Sequence, residues 1–282
     1  RSARRPPGPM ASALLAFAAE SGTVPVDGAS AWLALTDIVA RVTRRLGERP
    51  TDDRAKATDA VSAINAVVFD ELGFVREIER DAPGVMALPD VLANRKGSCV
   101  GLGALYLAIA ERLGVPLEGV LVPGHFFVRA PGATPRNAEL LRRGEALPDA
   151  WYVAKYGPWE PAATAYLRGL SAAEVVAVHW FNAGNQWKRT GDLPAAARAY
   201  ALATKSFPAF PEAAASLGAT RQAQGDLAGA RDAYQAAARA RPDLPGLARN
   251  LSVLEAQQRR SPSPQQQPPG QQQPTGGRSP RR

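Results

Sequence analysis

Two side chains suited to covalent catalysis stand near each other in a chain that is poor in both residue types. Cys99 is the only cysteine and begins an apolar run, and His125, one of two histidines, follows 26 residues later. A thiol nucleophile needs a base of this kind within reach. The pair therefore predicts acyl-transfer chemistry, whereas a lone cysteine without such a partner is most often a buried apolar residue.

The elements around this pair are predicted from apolar periodicity and from capping residues. Ser98 is a favourable N-cap for a helix over 99–113, and the apolar residues on all sides of that helix indicate that it is central and buried. Strands are predicted over 117–122, 126–130 and 137–141. Upstream, apolar residues at helical spacing predict two supporting helices, over 32–46 and 54–72. The predicted class is α+β.

This arrangement would bring the cysteine, the histidine and a third polar group together. A cysteine in the first turn of a helix lies at the positive end of the helix dipole, which favours the thiolate. His125, at the start of a strand that packs on this helix, can face Cys99. The third strand would then supply the group that fixes the imidazole tautomer, and Glu139 and Asn137 are both candidates.

Composition argues against several other classes of function. The chain has one cysteine and no HExxH, Walker or GxGxxG sequence, so we predict no metal and no cofactor. The net charge of +8 resides in the arginines of the two tails, and the body between them is formally neutral. We therefore expect no specific nucleic-acid site. The apolar run over 11–19 is too short for a membrane span.

The C-terminal third repeats itself with a period of 34 residues. The repeated features are Gly191-Asp192 and Gly225-Asp226, Ala199-Tyr200 and Ala233-Tyr234, Pro208 and Pro242, and Pro211 and Pro245. This is the period of the tetratricopeptide helix-turn-helix unit. We predict two repeats followed by a capping helix over 246–258. Such a stack binds a peptide or protein partner, or extends the neighbouring domain, and the sequence leaves both open.

Four stretches of the chain also resemble a known family, and they lie at 71–74, 88–99, 106–117 and 122–129. They resemble the transglutaminase-like domain of the SirB1 type, over about half of the chain. The resemblance implies a papain/transglutaminase-like core, a central helix packed on an antiparallel sheet, with tetratricopeptide repeats often following it. It also implies that Cys99 is the nucleophile, that His125 is the general base, and that Glu139 replaces the aspartate usual at the third position.

The predicted domain organisation has four parts. They are a flexible N-terminal segment over 1–30, a transglutaminase-like domain over 31–170, the repeats with their cap over 171–258, and a disordered basic tail rich in Pro and Gln over 259–282. The apolar run near the N-terminus also fits the remnant of a secretion signal. The sequence therefore leaves the compartment, cytoplasmic or exported, open.

The leading hypothesis is a cysteine-dependent amide hydrolase or acyltransferase that works through a thioester, with water or an amine as acceptor. The alternative is a non-enzymatic scaffold that keeps the fold and recruits a partner through its repeats. His179, in the first repeat helix, is expected to be a packing residue. The aromatic residues Trp151, Tyr152, Tyr156 and Trp159 are expected to pack the domain junction, with a cleft wall as the alternative.

Overall fold

The computed structural model describes residues 8–22, 28–47, 53–79, 82, 84–132, 135–159 and 165–260. These residues form a mixed architecture of helices and sheet, as the α+β prediction requires. The arginine-rich ends at 1–7 and 261–282, including nearly all of the predicted tail, lie outside the described residues. None of the described helices is both long and apolar enough to cross a bilayer.

Three helices precede the site: α1 (Pro9–Ser21), α2 (Gly28–Leu46) and α3 (Asp53–Asn65). Helix α2 confirms the first supporting helix and begins four residues before the predicted start. The second supporting helix is interrupted, because α3 continues into a π-helical turn over Ala66–Glu71. The turn still buries Val67, Val68 and Phe69. The apolar pattern thus identified the buried face but not the change in helix type.

Helix α1 occupies residues 9–21 of the segment over 1–30 that was predicted to be flexible, and it packs into the core. Its buried side chains are Ala11, Leu14, Phe17 and Ala18. The carboxylate of Glu111 accepts the backbone amides of Met10 and Ala11, at 2.7 and 2.9 Å. These amides have no acceptor within their own helix, so the carboxylate supplies one. Its negative charge also interacts favourably with the positive end of the helix dipole. A contact with a residue a hundred positions away therefore fixes this helix.

The central helix was predicted correctly and carries the cysteine. A short helix α4 (Leu88–Asn94) precedes α5 (Cys99–Leu113), and all α5 residues from Val100 to Ala110 are buried. The Ser98 hydroxyl accepts the Gly101 amide at 3.2 Å, and Gly114 ends the helix in the left-handed conformation. Both ends therefore follow ordinary capping rules.

The strands form two small sheets. Strands β1 (Val75–Arg76) and β2 (Lys96–Gly97) pair in parallel, and the main antiparallel sheet has the order β5-β4-β3-β6. Its strands are β3 (Glu118–Val122), β4 (His125–Ala130), β5 (Arg136–Ala138) and β6 (Gly169–Leu170). The third strand was predicted to extend to residue 141 but ends at Ala138. After Ala138 the chain forms a 3-10 turn over Leu140–Arg142, and the Glu139 side chain caps that turn.

The C-terminal half is helical and shows the 34-residue duplication. Its helices are α6 (Asp149–Tyr156), α7 (Ala172–Thr190), α8 (Leu193–Ser206), α9 (Pro211–Ala223), α10 (Leu227–Ala240) and α11 (Leu247–Arg260). As predicted, Gly191-Asp192 and Gly225-Asp226 form the turns within the two hairpins. Both glycines have positive φ angles, and both aspartates cap the helix that follows. Helix α11 includes the first two residues of the predicted tail, Arg259 and Arg260.

Candidate active site

Cys99 is the first residue of α5, at the predicted start of that helix. The first amides of a helix have no acceptor within that helix. Here the Ser98 hydroxyl accepts the Gly101 amide. Among the described residues, the amides of Cys99 and Val100 have no acceptor. A half-buried thiol therefore lies beside two backbone donors that can hold a developing oxyanion.

His125 is the first residue of β4, and close packing of β4 on α5 brings it to this helix end. The ring of the next residue, Phe126, occupies the space where a side chain on Gly103 would lie. A Cβ on that glycine would be only 2.4 Å from the ring. The strand can therefore approach the helix only where the helix has no side chain, which explains the position of Gly103 in α5.

Glu139 orients the imidazole. The His125 Nε2 atom lies 2.7 Å from Glu139 Oε2, and the two side chains are 4% and 2% exposed. The other carboxylate oxygen accepts the Leu141 amide at 3.0 Å. Both carboxylate oxygens are thus engaged, as a buried charge requires. Because Nε2 is committed to Glu139, Nδ1 is the ring nitrogen left for Cys99.

The environment of His125 favours its protonated form. Burial lowers the pKa of the imidazole, but hydrogen bonds with Cys99 and Glu139 and the charges of both groups outweigh burial and raise the pKa from 6.5 to about 9. The imidazole is therefore held as a cation at neutral pH. A positive charge on this ring lies where it can interact with the Cys99 side chain.

Asn137, the second candidate for the orienting group, points into a different network. Its Oδ1 accepts Arg129 Nε at 2.7 Å, and its Nδ2 donates to Leu147 O at 2.9 Å and to Asp149 Oδ1 at 2.7 Å. Arg129 also donates to Leu167 O and pairs with Asp149. This network ties the sheet to the start of α6. The structure therefore brings Glu139, and not Asn137, to the histidine.

Two tyrosines of α6 cover the histidine, which the sequence did not reveal. The Tyr156 ring stacks on the His125 ring at 4.9 Å with an interplanar angle of 7°, and the Tyr152 ring lies at 6.3 Å. Burial and the Glu139 carboxylate raise the pKa of Tyr152. The prediction that these two residues pack the domain junction was incomplete, because they also shield the imidazole from water. No pattern within α6 could indicate this, since the contact depends on how α6 docks.

His179 is a packing residue, as predicted. It is fully buried in α7, its Nδ1 lies 2.9 Å from Val175 O, and its ring meets Phe17 edge-on at 5.3 Å. Burial lowers its pKa to about 4. Within the described residues, no three His, Cys, Asp or Glu side chains gather in a way that could hold a metal ion.

A cleft of about 370 Å³ opens at Cys99 and His125. Its volume lies in the range of pockets that hold organic ligands. On one side it is lined by Val85, Met86 and the start of α5, and on the other by α7 and the start of α9. The candidate nucleophile therefore faces a wall contributed by the C-terminal helices.

Comparisons with known proteins identify a family and several partial relatives. A family model described as Transglutaminase-like superfamily matches residues 30–176, just over half of the chain. A UPF0162 protein of Xylella fastidiosa is 35% identical over 95 residues, which are 29% of this chain and 34% of that protein. A UPF0162 protein of Pseudomonas aeruginosa is 30% identical over 128 residues, 44% of this chain and 47% of that protein.

A eukaryotic relative shares the same kind of partial similarity. F-box only protein 21 of Mus musculus is 39% identical over 83 residues, which are 27% of this chain and 13% of that protein. The chain therefore spans about a third to a half of the length of the bacterial relatives named above.

Proposed function

The chain belongs to the transglutaminase-like superfamily, and from this premise we propose that it is a cysteine-dependent acyltransferase or amide hydrolase. Cys99 is the nucleophile, His125 the general acid and base, and Glu139 the residue that positions the imidazole. The observation that carries the proposal is the double engagement of His125, by Glu139 on Nε2 and by Cys99 on the other side of the ring. A buried histidine without a catalytic role needs no such pair of partners.

The first half of the reaction forms a thioester. The Cys99 thiolate attacks the carbonyl carbon of an amide, and the amides of Cys99 and Val100 stabilise the resulting oxyanion. The carbon–nitrogen bond then breaks, and the imidazolium of His125 donates its Nδ1 proton to the leaving amine. The enzyme is left with a neutral imidazole and an acylated sulfur.

The second half regenerates the enzyme. Neutral His125 takes a proton from water or from an amine as that acceptor attacks the thioester carbonyl. The sulfur leaves as thiolate, and the pair returns to its charged state. Tyr152 and Tyr156 support both halves because they limit access of bulk water to the ring, so that the Glu139 interaction acts in a low dielectric.

The helices after the domain support a repeat module of the tetratricopeptide type, as in the SirB1-type family. In both hairpins a tyrosine ring packs on a helical glycine 16 positions before it: Tyr200 on Gly184 and Tyr234 on Gly218. These glycine–tyrosine pairs recur after 34 positions, as do the turn glycines and the capping aspartates. Two structurally equivalent hairpins followed by α11 give a short stack that would bind a partner protein or peptide.

The test is the rate of Cys99 alkylation by iodoacetamide as a function of pH, measured by intact-protein mass. With a single cysteine, the added mass reports one site. We expect the rate to rise with a midpoint well below the value of about 8.5 that is typical of a free thiol. In His125→Ala the midpoint should return to that value.

Two results would overturn the proposal. One is a midpoint at or above that of a free thiol in the wild-type protein, and the other is a low midpoint that His125→Ala leaves unchanged. Either result would favour a scaffold whose cysteine is only a packing residue. Unfolding in urea, followed by circular dichroism, establishes that the variant is folded before its rate is interpreted.

A further inference from the structure

The cleft at Cys99 has a wall that belongs to α7. The α7 side chains that line it are Val178, Phe181, Asn182, Asn185, Gln186 and Arg189. They recur three and four positions apart, so they form one face of the helix over three turns. The cleft therefore runs along α7 and does not end at the cysteine.

The length of this wall indicates an elongated ligand. Val178 and Arg189 are eleven positions apart, which corresponds to about 16 Å along a helix. An extended polypeptide rises about 3.3 Å per residue, so about five residues would match the wall. A compact small amide would contact only part of it.

Part of the cleft lining is apolar. Phe181 packs against Phe210 at 4.8 Å, and both rings line the cleft together with Val178. Met86 and Leu121 line it as well. An apolar side chain of a bound segment would be removed from water here, which gives affinity without fixing chain direction.

The polar part of the cleft offers one hydrogen-bond acceptor and one hydrogen-bond donor. Asn182 Nδ2 donates to Val178 O at 2.8 Å, which leaves its Oδ1 as an acceptor. Asn185 Oδ1 accepts the Tyr200 hydroxyl at 2.7 Å, which leaves its Nδ2 as a donor. Among the described residues neither remaining atom has a hydrogen-bond partner. One acceptor and one donor on the same helix face complement the N–H and C=O of a main-chain peptide group.

We propose that α7 is the substrate-binding wall of the Cys99 site, and that the substrate is an extended polypeptide segment. Asn182 and Asn185 hold its main chain, and the apolar part of the cleft takes one of its side chains. This inference rests on the proposed function for the reaction at Cys99. It adds that the C-terminal helices select the substrate directly, as part of the active site, and do not only tether a partner nearby.

The test compares two kinds of electrophile on Cys99, both measured by intact-protein mass. The small probe is chloroacetamide. The long probe is a pooled pentapeptide library with randomised residues and a chloroacetyl group on one central side chain. In the wild-type protein we expect the library to label Cys99 faster than chloroacetamide, at equal concentration of electrophile.

The variants are Asn182→Ala and Asn185→Asp. The second keeps an acceptor for the Tyr200 hydroxyl and replaces the free donor by a charged acceptor, and chloroacetamide labelling reports any effect of that charge on Cys99. Each lost hydrogen bond should slow labelling by the library about 3- to 10-fold, with chloroacetamide labelling unchanged. The matched control is Asn250→Ala, an asparagine 68 positions after Asn182 in α11 that does not line the cleft. It should change neither rate.

The outcomes separate this inference from the proposed function. If chloroacetamide reacts with the low pH midpoint expected above but the library gains nothing, the cleft takes small amides and the inference is overturned. Equal slowing of both probes in the α7 variants would also overturn it, because the variants would then act on the cysteine itself. A thiol that reacts like a free one overturns the proposed function, whereas library labelling that depends on α7 would still support the peptide wall.

Discussion

His125 Nε2 and Glu139 Oε2 lie 2.7 Å apart in a place where neither side chain meets solvent. Removing two opposite charges from water costs several kcal/mol for each ion, so such a pair adds little to stability by itself. The pair does have a geometric effect. It fixes the ring so that Nδ1 is presented to Cys99, at the start of α5.

Replacing this carboxylate by its neutral isostere should weaken the site without removing its shape. In Glu139→Gln the imidazolium loses its buried counter-ion, so it stabilises the thiolate less. The midpoint of the alkylation profile should rise, and the rate at pH values below the midpoint should fall by roughly tenfold for each pKa unit of that rise. Stopped-flow or quenched alkylation across the pH range measures both quantities.

Glu145→Gln is the matched control for that variant. Glu145 pairs with Glu139 through the backbone, but its own carboxylate is half-exposed and binds Arg142. Removing this charge should leave the alkylation profile where it is. A shift of the same size in both variants would mean that general electrostatics, and not the contact with His125, governs the thiol.

Asn137→Ala tests the other candidate for the residue that orients His125. Here we expect stability to fall while the alkylation midpoint stays unchanged. The variant removes a buried amide that bonds Arg129, Leu147 and Asp149, so Arg129 loses one of its acceptors. We expect a loss of about 2–4 kcal/mol in the free energy of unfolding. The midpoint of Cys99 alkylation should stay unchanged, because Asn137 does not contact His125. An altered midpoint with normal stability would return the orienting role to Asn137.

The parts of this fold that the sequence predicted depend on local rules. Helix α5 has an N-cap at Ser98 and a left-handed glycine at its end, so its limits could be set from neighbouring residues alone. The Gly-Asp turns of the hairpins and the strands on either side of Pro123-Gly124 follow the same logic. Strand alternation indicated that both Asn137 and Glu139 could face His125, and of the two only Glu139, one residue after the strand ends, lies beside it.

The parts that the sequence did not predict depend on contacts between distant segments. Helix α1 is ordered by Glu111, and Tyr156 covers His125 only because α6 folds back onto the sheet. The α7 wall of the cleft is a third example. Nothing in the sequence of α7 distinguishes its asparagines from other polar residues on a helix face. Their proposed role follows only from the fold, which places them in the same cleft as Cys99. Such features carry no period or motif of their own.

The helical glycines make a prediction that runs against helix propensity. Alanine in place of glycine within a helix normally stabilises by about 1 kcal/mol. A Cβ on Gly184 would be 2.7 Å from the Tyr200 ring, and that ring is fully buried. We therefore expect Gly184→Ala to destabilise by about 1–3 kcal/mol, because the hairpin must separate. Urea unfolding followed by circular dichroism measures the change.

Two further variants check the cause of that effect. Gly218→Ala should behave in the same way, since Tyr234 occupies the equivalent position. Gly28→Ala should change stability by less than about 0.5 kcal/mol, because nothing lies within 4 Å of the added carbon. If all three variants are neutral, the tyrosine–glycine contacts do not hold the hairpins together.

The buried histidine His179 should make the protein sensitive to acid. Burial lowers its pKa from 6.5 to about 4, and its Nε2 has no partner among the described residues. Below pH 6.5 the unfolded chain therefore takes up a proton that the folded chain refuses until about pH 4. Stability is lost across this window as pH falls, by a total of about 3 kcal/mol from this group.

His179→Leu removes this titration and isolates it from the carboxylates, which are common to both proteins. The difference in unfolding free energy between the variant and the wild type should move in favour of the variant as pH falls from about 6.5 to about 4. The other histidine does not interfere. The pKa of His125 is raised to about 9, so its contribution is complete below pH 6.5 and is lost only as pH rises toward 9. A difference that stays constant with pH would mean that α7 opens or admits water at His179, so that the packing of α1 against α7 does not exclude the proton.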